Sequence, residues 1–500
     1  MSNENAEFGK IRSVLWPIHN FELKKFLPMS FLMFAVLFVY TAVRDLKDVF
    51  VQNYAALGGT EMIAPLKGIF VLPTSLLVAM MFASLVSKFG MQKTFYIVVS
   101  FFATFFFVFA FILFPNASKI HWSAETMIRM KESLPGFLCY VIPCIGNWSY
   151  SLFFILAETW GSLAISSLFW FFANQITKKT EVNRFYALYS LIGNIGVYFA
   201  GLATEKMSSH VEEAAEFDRN VKLLVSTAVV FCIISMVLYY YINKVVLADP
   251  KLYDPSQIKP KKKKAKVGFL AGIKILFSNK YLFLIFMLPI SYGIGMNIYE
   301  GIFKAHIKAM STNPNDTGRV MGQLSQITAI STILLTFLST YILRTFKWKY
   351  AALVTPVAFI VLGAAFFFMM IHGRMGGTHF LGMSVPVVAL WLGMIVDAFA
   401  KGIKYCLFDT TKGIAYRPLD PDTQAQGQGA VEIVGGRGGK GLGAMISMMF
   451  TSVMFPGSKL LDHVYSFFAI FIVILLAWIL SCNSLGTLYE EKNAEQSATK

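Results

Sequence analysis

The chain has 500 residues, of which 56% are hydrophobic and 14% charged, and its formal net charge is +16. Soluble globular proteins carry roughly 25% charged residues, and a chain this apolar has too few polar groups to cover its own surface in water. A soluble globular protein is thereby excluded, which turns attention to how the apolar residues are spaced.

A bilayer core of roughly 30 Å takes about 20 helical residues. In chain order twelve runs reach that length: 27–46, 61–87, 92–114, 148–175, 184–205, 222–246, 281–306, 319–343, 350–371, 381–404, 431–455 and 463–483. They are numbered here as spans one to twelve. Helices are predicted because backbone groups in lipid must be satisfied within each segment, and the runs do not alternate as porin-like strands do. The second, seventh and eleventh are the least regular, since each carries charge. Span one is long and lacks a small-residue cleavage site, so it reads as a retained helix rather than a signal peptide.

The loops give an orientation. Lys24 and Lys25 precede span one, Lys88 and Lys93 lie between spans two and three, and Lys178, Lys179 and Arg184 between four and five. "KPKKKKAK" (259–266) separates spans six and seven, and Arg344, Lys347 and Lys349 follow span eight, whereas "EEAAEFDR" (212–219) lies on the other side. By the positive-inside rule both termini are cytoplasmic, and the lysine run is an ordinary cytoplasmic loop rather than a nucleic-acid patch. The expected architecture is all-α and polytopic: twelve transmembrane helices in two six-helix halves, 1–250 and 280–500, joined by a basic cytoplasmic linker, 251–279. That layout is major-facilitator-like, with substrate held between the halves near the midplane. Spans four and ten look related, because Glu158 and Asp397 each precede a polar "TK" element and a tyrosine.

A charge at the centre of a transmembrane helix costs about 2.5–3.5 kcal/mol, so ionisable residues at depth point to a cavity or a partner. Arg44 and Lys47 close span one, with Asp45 and Asp48 available to pair with them, or they snorkel to an interface. Lys67 lies in span two, Glu158 in span four, Glu300 with Lys304 in span seven, Asp397, Lys401 and Lys404 in span ten, and Arg437 and Lys440 in span eleven. Glu300 and Lys304 have the spacing of an i,i+4 pair, and Lys401 and Lys404 stand within reach of the cytoplasmic surface. The bland reading of the deepest charges is a set of structural ion pairs that fix helix register. The functional reading is a cavity in which cations outnumber acids and which therefore suits a polyanion, phosphate groups above all. Glu158, Glu300 and Asp397 are the candidates for proton coupling.

"GGRGGKGLG" (435–443) fails the phosphate-loop pattern, because Gly441 rather than Ser or Thr follows Lys440. Its glycines suit close helix packing, leaving Arg437 and Lys440, nearly one turn apart, to reach a ligand together. Tyr150, Trp160, Tyr292 and Tyr299 lie near the acids in sequence and are candidates to stack on a flat base, against a background of 15% aromatic residues in which packing is the commoner role. The 7 histidines form no HExxH motif, no GxSxG is present, and no spacing suits a metal, so neither an enzyme nor a cofactor is expected.

Long segments carry a family resemblance. "SYSLFFILAETWGSLAISSLFWFFANQITKKTEVNRFYALYSLIGN" (149–194), "WPIHNFELKKFLPMSFLMF" (16–34), "RDLKDVFV" (44–51), "LADPKLYDP" (247–255), "KGIKYCLFDTTKGIAYRPLD" (401–420) and "GQGAVEIVGGRGGKGLGA" (427–444) resemble, in order, the non-mitochondrial ADP/ATP translocases of intracellular bacteria and plastids. The resemblance implies a carrier of the bacterial inner membrane, monomeric, that takes ATP and ADP as substrates and exchanges them without a cofactor or nucleic-acid partner. It also implies four functional charges, at Lys67, Glu158, Glu300 and Lys440, with other lysines of spans ten and eleven competing for the last place. The sequence departs from the family where "AQGQGA" puts Gln426 in place of a lysine. The departure leaves two rivals open: proton-coupled uptake of other nucleoside triphosphates and, more remotely, a non-transporting membrane scaffold.

Overall fold

The computed structural model describes residues 12, 16–208, 214–253, 276–420, 423–424, 427–428 and 431–498. The lysine run 259–266, most of the expected linker 251–279 and Gln426 lie outside the described residues. Among those described, ten helices are long and apolar enough to cross a membrane. The count differs from twelve for two physical reasons. Spans two and three follow each other with no loop between them, Thr60–Leu113, and the helical path is broken only at Gly90, where φ is 75° and ψ 166°. Span eleven is helical as Val431–Arg437, Gly438–Met448 and Met449–Met454, but its glycines and cations hold down its hydropathy. The strand content of the described residues is one hairpin, His379–Phe380 with Met383–Ser384.

Two large apolar cores form. One gathers Phe26, Phe50, Phe106, Trp160 and Tyr189 from the chain up to Leu252; the other gathers Phe303, Phe366, Phe471 and Trp478 from the chain after Leu276. Outward positions are apolar as well: Val237, Val361 and Leu480 are more than half exposed, as lipid-facing side chains are. The two sets of helices meet where side chains are smallest. A Cβ built on Gly201 would lie 2.6 Å from the carbonyl oxygen of Gly322, and one on Gly322 would lie 2.5 Å from the nitrogen of Glu205. Spans five and eight therefore touch backbone to backbone, the close approach that small residues permit in membranes.

Alternate crossings give the molecule two ends. The proximal end holds the start of span one and residues 247–253 and 409–420; the distal end holds residues 55–59, 114–147, 311–313 and 455–459. At the distal end the halves bond to each other. Leu460 N–H donates to Glu61 Oε1 at 3.1 Å, the Tyr140 hydroxyl to the Ser458 carbonyl at 2.9 Å, and Lys308 Nζ to Asn53 Oδ1 at 2.6 Å. Gln323 donates to Glu205 Oε1 at 2.8 Å, and Gln326 donates to the same carboxylate. At the proximal end each half bonds to itself. Lys25 Nζ lies 2.6 Å from Glu181 and 3.0 Å from the Leu252 carbonyl, Arg184 grips both oxygens of Glu22, and Asp409 holds Lys404 and Lys412.

Lys25 and Arg184 thus differ from the loop charges the sequence suggests. Lys25 is fully buried, because a helix start enclosed by spans five and six offers its ammonium a carboxylate and a carbonyl in place of water.

Candidate functional site

Span one ends in "RDLKDV", and this turn sets the site. Asp45, Lys47 and Asp48 are almost fully buried, so each ion must find its partner inside the protein. Lys47 Nζ lies 2.9 Å from Asp48 and 3.1 Å from Glu158 of span four, and 4.0 Å from the centroid of the Phe154 ring. The other oxygen of Asp48 lies 2.8 Å from Lys304 of span seven. The result is a chain Glu158–Lys47–Asp48–Lys304 that crosses from one half to the other.

A second chain runs beside it. Lys67 Nζ lies 3.3 Å from Glu300 Oε2 and 3.2 Å from Asn297 Oδ1, and Lys401 Nζ bridges Glu300 Oε1 and Asp397, each at 2.9 Å. Arg44 makes a third, smaller group with Asp45 and Ser325 of span eight, at 3.1 and 2.8 Å. Every group balances its cations against its carboxylates. A buried pair of this kind is close to neutral for stability, whereas one left without its partner is expensive.

Water reaches members of all three groups. Side-chain exposure is 30% for Glu158, 23% for Lys401, 19% for Arg44, 17% for Lys67 and 14% for Glu300, although all five lie deep in the chain's apolar spans. Lys440 is exposed and Arg437 partly so, and among the described residues neither has an ion pair. Arg437 donates to the Ser75 carbonyl at 3.3 Å, linking spans eleven and two. Lys440 projects because the opposite face of its helix is bare: Cβ atoms built on Gly435, Gly439 and Gly443 would strike Pro289, Ile290 and Asn297 of span seven at 2.7–2.8 Å. Lys67 and Lys404 lie in the segments Leu66–Val71 and Lys404–Phe408, which are wound with the wider i→i+5 turn, a form frequent at functional sites.

Ion pairs link Lys47 with Glu158 and Lys67 with Glu300, Arg44 pairs with Asp45, and span eleven carries Lys440 and Arg437, the latter bonded to span two; the other candidates are separated. Lys404 sits 2.9 Å from Asp409 toward the proximal end rather than in the central groups. Asp397 is 1% exposed, enclosed behind Lys401. Lys304 pairs with Asp48, 256 positions away, and not with Glu300 four residues before it, because the partner across the halves lies nearer than the one along the helix. Arg44 and Lys47 do not snorkel, and Lys401 turns inward to two carboxylates.

The aromatic candidates are packed away from water. Tyr150 stacks on Phe50, Trp160 packs edge-on to Phe102, and Tyr292 and Tyr299 donate their hydroxyls to the carbonyls of Ala400 and Gly393. All four are at most 5% exposed, since rings next to the acids in sequence fill the apolar side of the same helices. Two other rings stand beside cations, Tyr40 beside Arg44 of the third group and Tyr405 beside Lys404 on the proximal side of Lys401. Tyr40 has the Arg44 guanidinium 5.3 Å from its centroid, and Tyr405, 61% exposed, has Lys404 at 4.3 Å. The signal was available in the spacing, because Tyr40 precedes Arg44 by four residues and Tyr405 follows Lys401 by four.

A family profile described as "TLC ATP/ADP transporter" matches residues 1–489. The chain is 36% identical to "ADP,ATP carrier protein 1" of Rickettsia bellii (strain RML369-C) over 493 residues, 96% of each chain. It is 34% identical to "ADP,ATP carrier protein 1" of Chlamydia pneumoniae over 501 residues, 98% of this chain and 96% of the other. Among solved structures it resembles a D-xylose-proton symporter, with a TM-score of 0.56, 13% identity and coverage of 93% and 97%. It also resembles a bacterial homologue of the iron transporter ferroportin, with a TM-score of 0.55, 13% identity and coverage of 94% and 99%. Those two likenesses establish an all-helical, major-facilitator-like fold.

Proposed function

The chain belongs to the TLC ATP/ADP transporter family of multi-pass membrane proteins, and from that premise we propose that it exchanges ATP for ADP across a bacterial inner membrane by alternating access. What supports this reading is that Lys67, Glu158, Glu300 and Lys440 arrive from spans two, four, seven and eleven, in both halves, with Lys67 paired to Glu300 across them; we read them as lining one chamber. Both termini lie on the cytoplasmic side, so the self-bonded proximal end faces the cytoplasm. The two halves move as bundles about the chamber. One chain supplies all of these charges, and the working unit is a monomer.

The paired state explains why acids belong beside a polyanion. With no cargo, Glu158 occupies Lys47, and Glu300 occupies Lys67 and Lys401. The partner of Glu158 is Lys47, which Asp48 holds alongside, and not Lys67 or Lys440. Unpaired Lys440 and Arg437 provide the first attraction. Phosphate oxygens then displace carboxylates from the remaining lysines, one charge-assisted hydrogen bond replacing another. On release the carboxylates return, so neither state is left with bare buried ammonium groups.

Uptake of labelled ATP by proteoliposomes tests the reading. Vesicles loaded with ADP should accumulate label and empty vesicles should not; uptake into empty vesicles that tracks external acid indicates proton-coupled import instead. Glu158→Gln should slow exchange by at least tenfold, because Lys47 keeps Asp48 but loses the partly exposed carboxylate that competes with phosphate for it. Normal exchange by that variant removes the proposed part of Glu158.

A further inference from the structure

We infer that Tyr40 and Tyr405 form a clamp for the nucleobase, one ring from each half, set one helical turn toward the proximal mouth from the cations that take the phosphates. The inference rests on the nucleotide reading above and adds where the base sits.

The first observation is placement. Span one runs from the proximal to the distal end, so Tyr40, four residues before Arg44, lies on its proximal side. Span ten runs the opposite way, so Tyr405, four residues after Lys401, also lies on the proximal side of its cation. Two antiparallel helices in different halves thus present the same order, cation deep and ring shallow. One turn is about 5.4 Å, comparable to the ribose that separates a nucleotide's phosphates from its base.

The second observation is surroundings. An exposed tyrosine on a membrane helix is often an interfacial anchor facing lipid. Tyr405 instead has the Lys404 ammonium 4.3 Å from its ring centroid and stands within electrostatic reach of Tyr40 in the other half and of the buried Tyr292 in span seven. Tyr40 in turn lies within reach of Glu158 and Lys401. Its ring rests on span four at Gly161, where a Cβ would come within 2.3 Å of the ring. That seat fixes Tyr40 as a wall, while Tyr405, in the wide-turn segment Lys404–Phe408, is the open partner. Every base has a π-face, so such a clamp strengthens binding without selecting one base by hydrogen bonds.

The experiment measures competition for labelled ADP uptake by ATP and by inorganic tripolyphosphate, which has the phosphates and no base, using the full chain in proteoliposomes. Tyr405→Ala should weaken competition by ATP about tenfold and leave tripolyphosphate unchanged, while Tyr405→Phe keeps both. Tyr40→Phe should behave as wild type and Tyr40→Leu as Tyr405→Ala. Equal weakening of both competitors, or no change in ATP, overturns the clamp alone. Tripolyphosphate that fails to compete in the wild type overturns the deep phosphate placement on which the clamp depends. Wild-type protein that takes up no nucleotide overturns the nucleotide reading and the clamp together.

Discussion

At the distal end Glu61, Tyr140 and Glu205 bond across the halves, whereas at the proximal end Lys25, Glu22 and Asp409 bond within their own half. The contacts also differ in kind. The distal bonds are single hydrogen bonds, three of the five to the carboxylates of Glu61 and Glu205, and contribute about 1–3 kcal/mol each. The proximal ones include buried ion pairs whose loss is costly. At the two ends, the bonds that must break once per cycle are single hydrogen bonds across the halves, and the buried ion pairs stay inside one half; the cross-half pairs Lys304–Asp48 and Lys67–Glu300 belong to the site between the ends.

The comparison can be broken at its strongest point first. Glu181→Ala strands the fully buried Lys25 ammonium and should lower stability by about 3–5 kcal/mol, read as a fall in the unfolding midpoint in detergent. It should leave the balance between the two faces unaltered. That balance can be read at a cysteine introduced at Ser447, which lines a small cavity with Lys67 and Asn297 near the distal closure, in a background lacking the five native cysteines. Glu205→Ala is the next largest. It removes a carboxylate shared by Gln323 and Gln326, and hydrogen bonds to a charged group contribute about 1.5–3 kcal/mol. Labelling at the Ser447 position from the distal side should rise at least tenfold, with little change in unfolding. Tyr140→Phe is the smallest, removing one hydroxyl bond to the Ser458 carbonyl; about 1 kcal/mol corresponds to roughly fivefold more distal labelling. If Glu181→Ala shifts the labelling, or Glu205→Ala only destabilises, the division between ends is wrong.

Much of this molecule was legible in its sequence, for reasons that also show where legibility stops. Hydropathy located every long helix because lipid imposes one length and one chemistry on each span. The cost of charge in hydrocarbon picked out Lys67, Glu158 and Glu300, each of which is held in an ion pair and stays partly exposed. Partner choice was not legible: Lys304 ignores Glu300 one turn away for Asp48 in the other half, and only the packing of spans one and seven decides that. Nor was helix winding, since nothing in "LKGIFV" announces the wide turn that carries Lys67. Proximity in sequence to an acid proved a poor guide to aromatic exposure, because neighbouring residues on a helix face opposite ways. Helical spacing from a cation, as at Tyr40 and Tyr405, carries the better information.

The meeting of Gly201 with Gly322 has a mechanical consequence. Where large side chains interdigitate, two helices have teeth, and any tilt must jump from one notch to the next. Bare peptide against bare peptide has none, so spans five and eight bear on each other as a smooth axle, free to swing by small angles without repacking. A methyl group added at either position would wedge that axle open, and the defect would surface as a slower swing rather than as weaker cargo binding.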